Sequence, residues 1–142
     1  MRVKIKKIHE DAVIPKYQKE GDAGFDLYAV EDVMIHASQT KVIKTGLKMA
    51  IPDGYEIQIR PRSGLSLKTG LRVANSPGTI DSGYRGEVGV IMHNINDYDE
   101  EFICKRDRIA QGVLKKVPIA EFEEVEELDD TERGEGGFGH TG

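Results

Sequence analysis

Tryptophan is absent, cysteine occurs once, and aromatic residues make up only 6% of the 142 positions. The single thiol, Cys104, excludes an internal disulfide framework and fits a reducing compartment. No apolar run approaches the length that crosses a bilayer. The opening residues, MRVKIKKI, alternate charged and apolar side chains where a signal peptide would be continuously apolar. A soluble protein acting in the cytoplasm, cellular or virus-encoded, is therefore expected. Basic runs interleaved with aromatics are also missing, so neither nucleic acid nor a membrane is an expected partner. None of the four histidines has the spacing of a zinc site.

Charge is present but uneven. The net charge is -5, and eight of the 25 acids lie between Glu121 and Glu132 with no Lys or Arg among them. The remaining 17 acids stand against 20 bases, so the rest of the sequence is slightly basic and suited to a small polyanion rather than to a duplex. Three stretches follow: a β-barrel domain over 1–120, an acidic connector over 121–132 and a glycine-rich arm over 133–142. Phe122, Val125 and Leu128 recur every three residues in the connector, which permits a short helix, but its high charge favours an extended conformation.

Within 1–120, alternation of period two dominates. Val3 and Ile5 alternate with lysines as in an edge strand, and Phe25, Leu27 and Ala29 alternate with Asp26 and Tyr28. Further short runs at 41–45, 47–51, 55–60, 71–74, 87–93, 101–105 and 109–117 predict an all-β sandwich or barrel. One short helix is expected over 63–69, with Ser63 as N-cap and Gly70 as the stop. By alternation, Asp26 points to solvent, whereas Ile109, Gln111 and Val113 share an inward side on which Gln111 needs hydrogen-bond partners.

The stretch VANSPGTIDSGYRGE, residues 73–87, sets one acid, Asp81, three residues before one aromatic, Tyr84, among Gly78, Gly83 and Gly86. Apolar residues lead in and out, so it reads as a hairpin whose tip carries chemistry. A turn-forming Asp and a surface Tyr are the plain alternative. Arg62 before a helix start suits phosphate, although for an arginine taken alone a surface ion pair is the commoner explanation. Lys68-Thr69 lacks the glycines of a P-loop. The GxGxxG formed by Gly134, Gly136 and Gly139 has no strand or helix around it, so neither is a nucleotide motif.

Taken together, AGFDLYA, PRSGLSLK, NSPGTIDSGYRGE, RIAQGV and RGEGGFGHTG resemble, in order and spacing, the five motifs of the trimeric dUTP pyrophosphatases (dUTPases). The resemblance implies a jelly-roll-like subunit in a homotrimer with three interfacial active sites, each closed by the C-terminal arm of another subunit. It implies hydrolysis of dUTP to dUMP and pyrophosphate with Mg2+ bound to the triphosphate. It further implies Asp81 as general base, Tyr84 under the deoxyribose, and Asn75, Gly78, Thr79, Ile80 and Gly89 reading uracil. Arg62, Ser63, Gly64 and Gln111 would bind phosphate, and Asp26 would hold water on Mg2+. In the arm, Arg133 would bind the γ-phosphate, Phe138 would stack on uracil, and Gly139, His140 and Thr141 would complete the substrate contacts.

Two departures stand out. His140 replaces a frequent hydroxyl, and Gly83 stands where an Asp is frequent. A dCTP deaminase or bifunctional deaminase shares the fold, but its catalytic Glu would fall at Ile91, which cannot move a proton. A non-catalytic nucleotide-binding regulatory trimer is the alternative outside enzymes.

Overall fold

The computed structural model describes residues 1–142 as eleven strands and one short helix. In order these are β1 (Lys4–Lys7), β2 (Phe25–Tyr28), β3 (Val33–Ile35), β4 (Thr40–Lys44), β5 (Leu47–Ala50), β6 (Tyr55–Arg60), α1 (Ser63–Lys68), β7 (Leu71–Val73), β8 (Gly78–Ile80), β9 (Gly89–Asn94), β10 (Glu101–Ile103) and β11 (Arg108–Lys116). All pairings are antiparallel. A four-stranded sheet, β2-β11-β6-β8, and a three-stranded sheet, β4-β9-β7, are supplemented by the pairs β1-β5 and β10-β3, giving the jelly-roll-like all-β architecture.

The core follows from alternation. Phe25 and Leu27, Ile57 and Ile59, Leu71 and Val73, and Val90 and Met92 are buried while their neighbours are partly exposed. They belong to one cluster of 21 buried apolar residues between the sheets.

Three local expectations change. The arms 71–73 and 89–94 do pair, with Val73 opposite Met92, but the segment between them is not a simple tip. Gly78–Ile80 crosses to the other sheet as β8 and pairs with β6. Helix α1 begins at Ser63 with Arg62 as its N-cap, in extended conformation and without a side-chain cap; Ser63 is the first helical residue, so its hydroxyl is not spent on capping. A bulge between Arg108 and Ala110 breaks the alternation of β11. Gln111 therefore pairs with Asp26 on the outer face of the sheet, and Ile109 turns inward. Over 121–132 no helix forms and every residue is exposed, as the high charge of the connector favours.

Candidate active site

The residues expected to act together occupy three separate places. The first is a pocket of about 200 Å³ lined by Asn75, Gly78, Thr79, Ile80, Asp81, Tyr84 and Gly89, with Ile59, Glu87, Val88 and Ile91 completing its wall. Because β8 ends its sheet, one side of its backbone has no ladder partner, and N–H and C=O groups on that side remain free for a planar heterocycle. The Tyr84 hydroxyl donates to the Glu87 carbonyl at 3.0 Å, and the ring lies so close over Gly86 that any side chain there would overlap it. The ring is thus fixed at the pocket mouth although it is 47% exposed. The Asp81 carboxylate is exposed and takes part in no hydrogen bond or ion pair, and its backbone C=O accepts from Tyr84 N–H at 3.1 Å. Ile91, apolar, sits in the wall of the same pocket.

The second place is a polar cavity of about 320 Å³ whose lining includes Asp26, Arg62, Ser63, Gly64 and Gln111. Asp26 is not exposed: only 12% of its side chain meets solvent. Its Oδ1 accepts from Arg62 Nε at 3.0 Å, and its Oδ2 accepts from Arg108 Nη1 at 3.4 Å. Two guanidiniums thus flank one carboxylate. Arg62 is therefore both an ion-pair partner and a cation at the cavity. The first intrahelical bond of α1 runs from Ser66 N–H to Arg62 C=O at 3.1 Å, so the N–H groups of Ser63 and Gly64 face outward without backbone partners. Gln111 Nε2 donates to Pro61 C=O at 2.9 Å, and its amide oxygen occupies the space that a side chain at Gly24 would need.

The third place is the arm. Arg133 Nε donates to Gly136 C=O at 2.8 Å, and Arg133, Gly139, His140 and Thr141 line a shared concavity. Phe138, at φ +51°, is fully exposed and outside that wall. The backbone bond from Val117 to Gly54 is the last hydrogen bond tying the C-terminal segment to the barrel.

Sequence reasoning missed Arg108 as a partner of Asp26, and Gln18 and Asp22 as lining of the polar cavity. The RIAQGV motif carried a signal for Arg108, since an acid taken out of water needs cations beside it. Gln18 and Asp22 lie in a polar loop with no pattern to mark them.

The family model described as dUTPase matches residues 10–142. A deoxyuridine 5'-triphosphate nucleotidohydrolase of Nautilia profundicola is 57% identical over 143 residues, covering 100% of this chain and 99% of the relative. Among solved structures, the Staphylococcus bacteriophage 80alpha dUTPase with dUPNHPP superposes with a TM-score of 0.92 at 31% identity, over 99% of this chain and 98% of that one. A point mutant of the dUTPase from phage phi11 of S. aureus, described with a structural Mg(II) ion, gives a TM-score of 0.85 at 27% identity, over 90% of this chain and 99% of that one.

Proposed function

This chain belongs to the dUTPase family and hydrolyses dUTP to dUMP and pyrophosphate, and on that premise we propose how its own residues divide the work. The carrying observation is the unengaged carboxylate of Asp81 at the lip of a pocket edged by an unpaired strand. Asp81 accepts the proton of the water that attacks the α-phosphorus, and the bond from that phosphorus to the bridging oxygen breaks to release pyrophosphate. Backbone groups of Gly78, Thr79 and Ile80, with Asn75 and Gly89, read the edge of uracil. The Tyr84 ring packs under the deoxyribose and leaves no room for a 2'-hydroxyl.

The polar cavity receives the phosphates. Arg62, the outward N–H groups of Ser63 and Gly64, and Gln111 supply donors, and Arg108 offsets the charge of Asp26. Mg2+ fits this donor set: Asp22 and Asp26 are the carboxylates of the cavity, and no cluster of three metal-ligating side chains exists. That pattern suits an ion carried mainly by phosphates, with Asp26 acting through water. When bound, the ion neutralises charge on the triphosphate.

The base pocket is built on the edge strand β8, whereas the phosphate cavity spans β2, β11 and the turn after β6, and the two linings share no residue. That separation supports a homotrimer whose sites join the pocket of one subunit, the cavity of a second and the arm 133–142 of a third. In that site Arg133, His140 and Thr141 meet the phosphates, Gly139 gives the arm its turn at φ +76°, and Phe138 stacks on uracil. The division into a barrel 1–120, connector 121–132 and arm belongs to the same reading, as does action in the cytoplasm.

Purified protein with Mg2+, offered dUTP, dCTP, dTTP and UTP separately, should release pyrophosphate from dUTP alone, with no ammonia. Ammonia from dCTP would replace this assignment with a deaminase.

A further inference from the structure

Two charged features of this protein have no counter-charge within it. The first is a trough of about 280 Å³ lined by Lys4, Lys6, Lys48 and Arg85 over Ile5 and Met49. Lys6 stands directly opposite Lys48 on the paired strands β1 and β5, and Lys4 lies two residues along, so the three ammonium groups share one face. The second is the connector, with eight exposed carboxylates between Glu121 and Glu132. None of these twelve groups is in an ion pair.

Ile5 and Met49 alternate with these lysines and so turn to the other side of the β1–β5 pair, toward an apolar groove of about 200 Å³ that contains Val3, Tyr17 and Leu114. The connector exposes Phe122, Val125 and Leu128 between its acids, with Phe122 95% and Leu128 84% exposed. What the rest of the molecule offers to its acids is the lane of lysines.

We propose that the lysine trough of one copy is the docking track for the acidic connector of another. This rests on the arm-exchange reading above and adds what guides the arm. The trough ends at Arg85, whose guanidinium is pinned by the Ser82 and Tyr84 carbonyls at 2.7 and 3.0 Å. Arg85 directly follows Tyr84 in the wall of the base pocket. From Glu132 to Phe138 is six residues, up to about 20 Å when extended. A connector seated beside Arg85 therefore delivers Phe138 and Arg133 to the neighbouring pocket. The connector makes no hydrogen bond or ion pair to its own barrel, which leaves it free for a second copy.

The test is a charge exchange. The triple variant Lys4→Glu, Lys6→Glu, Lys48→Glu and the connector variant Glu123→Lys, Glu124→Lys, Glu126→Lys, Glu127→Lys are compared with their combination. At about 0.02 M salt each single-sided variant should raise the KM for dUTP roughly tenfold, and the combination should recover most of it. At about 0.5 M salt all four proteins should converge, because exposed charges are then screened. An unchanged KM in both single-sided variants, or no recovery in the combination, overturns the track. If the Lys→Glu variant does not fold, Lys→Gln at the same positions carries the test with a smaller expected rise. A protein ending at residue 132 separates the two levels: if it turns over like the full-length form, the arm reading itself fails. If it loses turnover while the charge variants do not change, only the docking track fails.

Discussion

Asp81→Asn preserves shape and removes basicity, so turnover should fall by roughly 10²–10⁴ while dUTP binding persists. Rapid-quench turnover together with calorimetric binding of a non-hydrolysable analogue measures both quantities, and near-wild-type kcat would remove Asp81 from the role. In the proposed site Tyr84 acts by bulk, so Tyr84→Ala should allow UTP to be hydrolysed at rates approaching those for dUTP, as read by pyrophosphate release from each. Gly86 is the subtler position. An added methyl would overlap the Tyr84 ring and hydroxyl, so Gly86→Ala should tilt the ring and lose discrimination between UTP and dUTP while Asp81 stays intact. Unchanged discrimination in that variant would mean that the bond to the Glu87 carbonyl, not the glycine, sets the ring.

Among the elements, β2 and β11 show how close packing places the phosphate cavity. A side chain at Gly112 would overlap the Phe25 ring on the inward face of that pair. Gly112→Ala should therefore cost about 1–3 kcal/mol by overpacking, measured by denaturant unfolding, and should disturb Gln111 and Asp26 on the opposite face. The loop after β1 is tied differently. Asp11 meets Lys105 at 3.3 Å and Arg106 at 3.5 Å in the turn before β11. The hydrogen bond from Lys105, followed by the nearby positive charges, holds its carboxyl below the usual 3.8. A depressed carboxyl adds stability that is complete above the unfolded value, about 3.9, and fades as pH falls through the lower folded value. Asp11→Asn should therefore flatten the acid limb of a plot of melting temperature against pH below about 4 and leave activity at neutral pH alone.

For the whole molecule, the proposed division of the site between copies has a sharp consequence. A protein lacking 133–142 and the Asp81→Asn variant should each be nearly inactive alone. Unfolded and refolded together, they should regain turnover, because some mixed sites draw an intact arm from one subunit and an intact Asp81 from the other. Mixtures no more active than their parts would show that each subunit closes its own site. The acidic connector belongs to this scale too, since its charges have no ion-pair partner within the chain.

Strands whose alternation ran long enough were legible from residues alone: β6, β9 and most of β11 lie where period two puts them, and Phe25 and Leu27 are buried as that period requires. Strands β3 and β8 were not, because Val33-Met34-Ile35 is apolar throughout and shows no alternation, and Gly78-Thr79-Ile80 opens on a glycine that carries no hydrophobic signal. The motifs supplied the candidate site residues, since their types and order are local properties of the sequence. Tertiary structure alone decided where they stand. A single bulge in β11 turned Gln111 to the face of Asp26, and Arg62 and Arg108, 36 and 82 residues away in sequence, closed on that buried acid. The crossing of β8 to the edge of the sheet beyond β6 built the pocket of Asp81 and Tyr84, whose lining shares no residue with the cavity of Asp26 and Arg62. Such contacts are fixed by sheet order and register, which depend on which distant strands meet, and no window of sequence contains that information.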